Sequence, residues 1–237
     1  MRIVIAGPPK TGNTWAKCLL SEAYGLTLLN RPPKTIEDLG IRLEEDWFKD
    51  NTIFHQHLRP EVSLITMMDS VDAKLVTVLR NPYDTFISLY FFVQNFPKLF
   101  RRPEHQLHPL REKPIDHPDV LEFLRQDHGG FGVHLLLALK WLESGKSTIM
   151  RYESLKANPL QELKKATDQL SPVEDENLEA AIEACSVQKM RTQKKSWSKH
   201  VRKGSVGDWR NHLTEVHLEI FRTCHGDLIE KLGYEVM

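Results

Sequence analysis

The stretch IVIAGPPKTGNTW, residues 3 to 15, limits what this chain can become more than any other. Four apolar residues, Ile3 to Ala6, suit a short buried strand; a Gly/Pro loop follows, and a helical pattern starts at Asn13. Strand, loop and helix N-terminus in that order bring backbone N–H groups together at one point, which is how a chain cradles a phosphate. The spacing of Gly7, Gly12 and Thr14 is that of the nucleotide loop G-x-x-x-x-G-K-[ST], but Asn13 stands at the lysine position. The cation sits three residues earlier, at Lys10. The loop therefore keeps an anion hole and lacks the side chain that reaches the β- and γ-phosphates of ATP or GTP. A Gly/Pro turn that binds nothing is the other reading of this stretch alone.

A chain of 237 residues with 41% hydrophobic content can bury a complete core. It fits one α/β domain over residues 1–237, with a central, mainly parallel sheet flanked by helices in three layers, a P-loop-like fold. Lys plus Arg and Asp plus Glu both number 32, so no global field favours nucleic acid or an anionic membrane, and any basic site must be local. Cys18, Cys185 and Cys224 are odd in number and far apart, which suits reduced thiols in a cytosol better than a disulfide framework. The N-terminus runs straight into the first strand, and no apolar run approaches the ~20 residues that span a bilayer. The expectation is a cytoplasmic protein with no membrane insertion.

A second strand is expected at 51–55, running into HQHLRP. His55 and His57 are one residue apart, which in an extended segment puts them on one side, where a base could meet a substrate. Surface histidines and, with further ligands, a zinc site are the alternatives. KLVTVLR at 74–80 reads as the clearest strand, followed by Asn81 as N-cap and Pro82 as first residue of a helix carrying Ser88. Arg80 then lies at the carboxyl end of a central strand, where it could grip a phosphate or pair with Asp84. Residues 97–117, with four prolines and His105, His108 and His117, predict a long irregular lid or acceptor loop. Helical patterns follow at 118–144, broken by Gly129 and Gly130, at 159–170, at 174–184 and at 214–232, with a strand at 146–152. Between Glu183 and Asp208 there is no acid, while 189–204 holds seven Lys or Arg and ends in Arg202, Lys203 and Gly204. Adjacent cations before a glycine suit one phosphate; a basic segment for nucleic acid is the alternative. Cations at Lys10, Arg80 and 202–203 together suit a nucleotide with two separate phosphates.

Four motifs in order resemble those of the cytosolic-type sulfotransferases that use 3′-phosphoadenosine 5′-phosphosulfate (PAPS). PKTGNTW (9–15) is similar to the family's 5′-phosphosulfate loop P-K-[ST]-G-T-T-W, and RNPYDTFIS (80–88) to its 3′-phosphate motif R-N-P-x-D-x-x-x-S. RYESLKANP (151–159) is similar to Y-E-D-x-x-x-x-P, and RKGSVGDWRNHLT (202–214) to R-K-G-x-x-G-D-W-x-N-x-x-T. HQHLRP resembles K-T-H-L-P, which aligns the catalytic histidine with His57.

The resemblance implies a catalytic set of His57, Lys10 and Ser88. Lys10, Thr11, Gly12, Asn13 and Thr14 would hold the 5′-phosphosulfate, Trp15 and Tyr152 would approach the adenine, and Arg80, Ser88, Arg202, Lys203 and Gly204 would take the 3′-phosphate. It further implies PAPS as donor, adenosine 3′,5′-bisphosphate (PAP) as product, no metal, and a small acceptor, a phenol or alcohol, given the aromatic run FISLYFFVQNF at 86–96. The chain departs from the family at Asn13, at His55 where a lysine is usual, and at Val187 where an aromatic ring is usual. A P-loop kinase and a non-catalytic nucleotide-binding protein are the other readings. No sequence feature assigns an oligomeric state.

Overall fold

Ile3, Val4, Ile5 and Ala6 are completely buried, the mark of a strand covered on both faces. They belong to β1 (Arg2–Ala6), which in this computed structural model is the middle strand of a five-stranded sheet. Residues 1–186, 188–190 and 203–237 are described; Val187 and Arg202 lie outside them. β2 (Thr27–Leu28), β3 (Thr52–Gln56), β4 (Ala73–Leu79) and β5 (Thr148–Arg151) complete the sheet in the order β2-β3-β1-β4-β5. All four pairings are parallel, with Ile3 opposite both Ile53 and Lys74. Parallel neighbours need crossovers, so the helices between strands are a consequence of the topology. The expected α/β class with a central parallel sheet is what forms.

The chain makes two compact units, residues 1–80 with 140–204, and residues 81–139 with 205–237. The first holds the sheet. Its helices are α1 (Asn13–Tyr24), α2 (Ile36–Glu44) and α3 (Val62–Ser70). After β5 come α7 (Tyr152–Ala157), α8 (Pro159–Leu170) and α9 (Asp175–Ala184). α1 starts where the loop ends and stops at Gly25, whose φ of 64° is the left-handed turn that a glycine C-cap supplies. It buries Ala16, Cys18, Leu19 and Leu20, packing against β3, β4 and α9.

Cys18 and Cys185 form a disulfide, with Cα atoms 5.9 Å apart and 167 residues between them in sequence. The expectation of three reduced thiols is therefore corrected: α1 packs along α9, and that packing brings together two cysteines whose spacing gives no hint of it. Cys224 is the free thiol, and it is exposed.

The second unit contains α4 (Pro82–Asn95), α5 (Pro118–Arg125), the first part of α6 (Gly132–Ser144) and a last helix, α10 (Glu215–Lys231). α4 begins as its sequence demands, with Asn81 accepting from the N–H groups of Tyr83 and Asp84 and Pro82 in the first turn. Its core is aromatic: Tyr83, Phe86, Phe131 and Phe221 meet at centroid distances from 4.5 to 6.0 Å. Residues 97–117 hold two short 3₁₀ turns, Pro97–Phe100 and His108–Leu110, with Phe100 and Leu110 buried. α4 fastens this loop by Gln94 Nε2 to the carbonyls of Leu110 (2.6 Å) and Lys113 (2.9 Å) and by the Tyr90 hydroxyl to Lys113 (2.8 Å).

The disulfide sets a measurable expectation. Denatured without reductant, the chain presents one reactive thiol, Cys224; after reduction it presents three. Cys18→Ser lowers the free energy of unfolding by about 2–4 kcal/mol in denaturant titration. Three reactive thiols before reduction would contradict the bond.

Candidate active site

In an open parallel sheet, ligands meet the carboxyl ends of the strands, where the chain order reverses direction. Here β1 is flanked by β3 on one side and β4 on the other, which makes its carboxyl end such a point. The residues that follow four neighbouring strands are His57 after β3, Gly7 to Gly12 after β1, Arg80 after β4 and Tyr152 after β5. Residues from four distant parts of the sequence are gathered because each is the first chemistry its strand delivers.

The loop after β1 is shaped by backbone rather than by side chains reaching out. Lys10 adopts φ 67°, a left-handed conformation uncommon for a residue with a Cβ, and Gly12 has φ 112°. Asn13 is buried and donates from Nδ2 to the Pro8 carbonyl (2.9 Å). The Thr11 hydroxyl lies 3.1 Å from the same carbonyl and 3.2 Å from Asn13 Oδ1. Thr11 and Asn13 thus brace the loop from within, and what they offer a ligand is backbone. Among the described residues, the N–H groups of Gly12, Asn13 and Thr14 donate to no other group, the state of the first turn of a helix that awaits an acceptor. Three convergent donors, with Lys10 on the same loop, fit a phosphate or sulfate ester. A lysine at position 13 would project differently; the asparagine here is tied to Pro8 and reaches no second phosphate.

His57 is fixed to this loop. Its Nδ1 lies 2.8 Å from the Gly7 carbonyl, and since a carbonyl only accepts, the proton is on Nδ1 and the lone pair on Nε2. Nε2 makes no hydrogen bond among the described residues. The residue keeps solvent-exposed surface, while protein atoms crowd its ring. That burial pushes its pKa below the ordinary 6.5; the bond to Gly7 opposes the shift, and the positive charge of Lys10 adds to it. A neutral imidazole with one free nitrogen is a ready proton acceptor at neutral pH. His55 lies beside it, ring centroids 6.3 Å apart.

Two side chains that hold His57 escaped the sequence reading. Gln56 accepts from the His57 N–H through Oε1 (2.9 Å) and donates through Nε2 to the Pro33 carbonyl (2.6 Å). Trp141 donates from Nε1 to the Leu58 carbonyl (2.8 Å). An HQH triplet does not show that the middle residue braces the last, and nothing links Trp141 to residue 58 in sequence.

Arg80 donates from Nη1 to the Lys10 carbonyl (3.1 Å), and its guanidinium lies over the Tyr152 ring, 4.4 Å from the centroid. Trp15 meets Tyr152 edge to face at 5.8 Å, and Lys156 lies 5.5 Å over Trp15. The indole N–H of Trp15 is buried and unpartnered among the described residues. The first unit therefore brings Lys10, Thr11 to Trp15, His57, Arg80 and Tyr152 together. Ser88 belongs to the second unit, half-buried on α4 one turn after Asp84. Asp84 accepts from the N–H groups of Gly207 (2.7 Å) and Trp209 (3.1 Å) and so anchors the G-D-W turn that follows the 202–204 motif. Lys203 is exposed, Gly204 has φ 68°, and Arg202 falls outside the described residues.

The sulfotransferase domain model matches residues 1–233, nearly the whole chain. The chain belongs to the sulfotransferase family. Its reaction class is sulfuryl transfer, and it is a transferase. Relatives include Sulfotransferase 2A1 of Macaca fascicularis, 26% identical over 92% of this chain and 81% of that protein. Cytosolic sulfotransferase 16 of Arabidopsis thaliana is 26% identical over 89% of this chain and 71% of its own length. In fold, the chain is similar to mouse sulfotransferase SULT7A1 complexed with PAP, with a TM-score of 0.70, 22% identity, and coverage of 99% of this chain and 85% of that one. Among the described residues no helix is long and apolar enough to cross a membrane.

The electrostatics of His57 can be checked directly. Its imidazole titrates with a midpoint below 6.5 by NMR, and in Lys10→Gln, where the neighbouring positive charge is gone, the midpoint moves up. A wild-type midpoint at or above 6.5 would contradict the geometry. For stability the sign follows: a lowered folded-state pKa means that His57 costs no stability above about 6.5 and progressively more as pH falls toward its folded value.

Proposed function

We propose that this sulfotransferase moves the sulfuryl group of PAPS to a hydroxyl or amine of a small molecule, with His57 as general base and Lys10 stabilising the leaving phosphate. The observation that carries the reading is the bond from His57 Nδ1 to the Gly7 carbonyl, which leaves Nε2 free beside the phosphate loop. Motif resemblance, and the PAP bound by a fold relative such as SULT7A1, support the choice of nucleotide. When bound, PAPS supplies an activated sulfuryl group on its 5′-phosphate.

In this reading the N–H groups of residues 12–14 and the Lys10 ammonium hold that phosphate. Nε2 of His57 takes the acceptor's proton as the new bond to sulfur forms. The bond from sulfur to the 5′-phosphate oxygen breaks in line, its electron pair staying on PAP. Lys10 meets the charge that grows there, an interaction stronger in the transition state than before it. Arg80, Ser88, Arg202, Lys203 and Gly204 serve the 3′-phosphate, and Trp15 and Tyr152 lie toward the adenine; these assignments rest on the motifs. The kinase reading loses its support because the Asn13 side chain is committed to Pro8. Residues 97–117, fastened to α4, serve as an acceptor loop for a small phenol or alcohol.

His57→Asn lowers kcat about 10²- to 10⁴-fold while PAP affinity stays, the usual loss for a positioned base. Wild-type kcat/KM falls on the acid side with an inflection below 6.5, and the variant lacks that limb. The assay is transfer of labelled sulfate from PAPS to phenols, alcohols, amines and sugars. Full activity in His57→Asn would refute the base, and tight PAP binding with no transfer by the wild type to any acceptor would favour a non-catalytic binding protein.

A further inference from the structure

We propose that Tyr152 is a positioning residue that sets the chain's selectivity for a 3′-phosphorylated nucleotide by holding Arg80 with its ring. The inference rests on the reading of Arg80 as a 3′-phosphate ligand and goes beyond it, because it assigns the effect to the face of a neighbouring aromatic ring.

Arg80 ends a strand, and an arginine there has a long stem and many rotamers. Contacts among the described residues restrict that freedom. The Tyr152 ring lies under the guanidinium, 4.4 Å from its central carbon, and the Lys10 carbonyl accepts from Nη1 at 3.1 Å. A guanidinium resting on a ring keeps its N–H edges clear of that ring, and edge-on donors are what a phosphate takes.

The same ring is itself held. Tyr152 opens α7 directly after β5 and is 6% exposed. Trp15 closes its edge at 5.8 Å. Gly12 lies so close that a Cβ there would stand 2.7 Å from Tyr152 Cδ2. Gly12 therefore has two reasons to be glycine, its φ of 112° and the ring beside it. Because one ring touches the 5′-phosphate loop and carries Arg80, and because Arg80 returns to Lys10, the cation for the second phosphate is built on the loop for the first. Deleting the ring would release Arg80 without removing any donor from the 5′ side.

The test compares the affinities of PAP and of adenosine 5′-monophosphate, which lacks the 3′-phosphate, by calorimetry. The wild type prefers PAP. Tyr152→Phe keeps the preference, since it keeps the ring. Tyr152→Leu lowers the preference roughly tenfold, the upper range of a cation–ring contact, beyond whatever weakening through the adenine and the 5′ loop PAP and the monophosphate share. In an Arg80→Ala background the same change alters the preference no further. Tyr152→Met, which keeps bulk without a ring, gives the same result where the leucine variant does not fold. Equal weakening of both nucleotides, or a loss in Tyr152→Phe as large as in Tyr152→Leu, overturns the inference and leaves the reading of Arg80 standing. A wild type that does not prefer PAP overturns that reading and this inference with it.

Discussion

The hydrogen bond between His57 and the Gly7 carbonyl is the constraint on which the rest of the site depends. Strands β1 and β3 run in parallel with Ala6 opposite Gln56 as their last pair, so Gly7 and His57 are the next residues along each. The backbone ladder ends there, and a side chain takes over the contact at 2.8 Å. That one bond does three things: it ties the phosphate loop to the strand beside it, selects the ring tautomer, and turns Nε2 outward. Gln56 and Trp141 hold the backbone on either side, so the imidazole has little freedom to choose another pose.

The loop after β1 is built in the same spirit. Lys10 is held in a left-handed conformation that costs about 1–3 kcal/mol, and Asn13, Thr11 and the Arg80 contact to its carbonyl stabilise that shape. Inward-facing side chains free the backbone N–H groups of the first helical turn for an anion. Charge then enters as a consequence of position: the ammonium of Lys10 belongs to the same loop as the donors and also lowers the pKa of His57. In the proposed mechanism this cation would add to the burial that favours the neutral base and would also receive charge on the leaving phosphate.

Much of this was legible because it is local. Ile3 to Ala6 as a buried strand, the helix from Asn13 to Tyr24, the Asn81 cap with Pro82, and the helix at Pro159–Leu170 follow from apolar periodicity and capping chemistry and form within a residue or two of the expected bounds. The places of Lys10 after β1 and of His57 after β3 were legible through spacing and motif, while their roles belong to the proposal. Other features depend on what folding brings together. β2 has only two residues and exists because β3 pairs with it, and α3 carries a weak pattern in which its first residue, Val62, is 83% exposed. Neither stood out in the sequence. The Cys18–Cys185 bond, the Gln56 brace and the reach of Trp141 to residue 58 are long-range or side-chain events without a sequence period. The inward turn of Asn13 shows the same limit: the motif groups Asn13 with the phosphate-holding residues, and only the folded loop shows its amide bonded to the Pro8 carbonyl.

The most direct test of the account is the tautomer of His57, read from the ¹⁵N shifts of its two ring nitrogens at neutral pH. The structure predicts a protonated Nδ1 coupled to the Gly7 carbonyl and an unprotonated Nε2. A proton on Nε2, with Nδ1 bare, would mean that the bond to Gly7 does not form and that the base faces away from the acceptor.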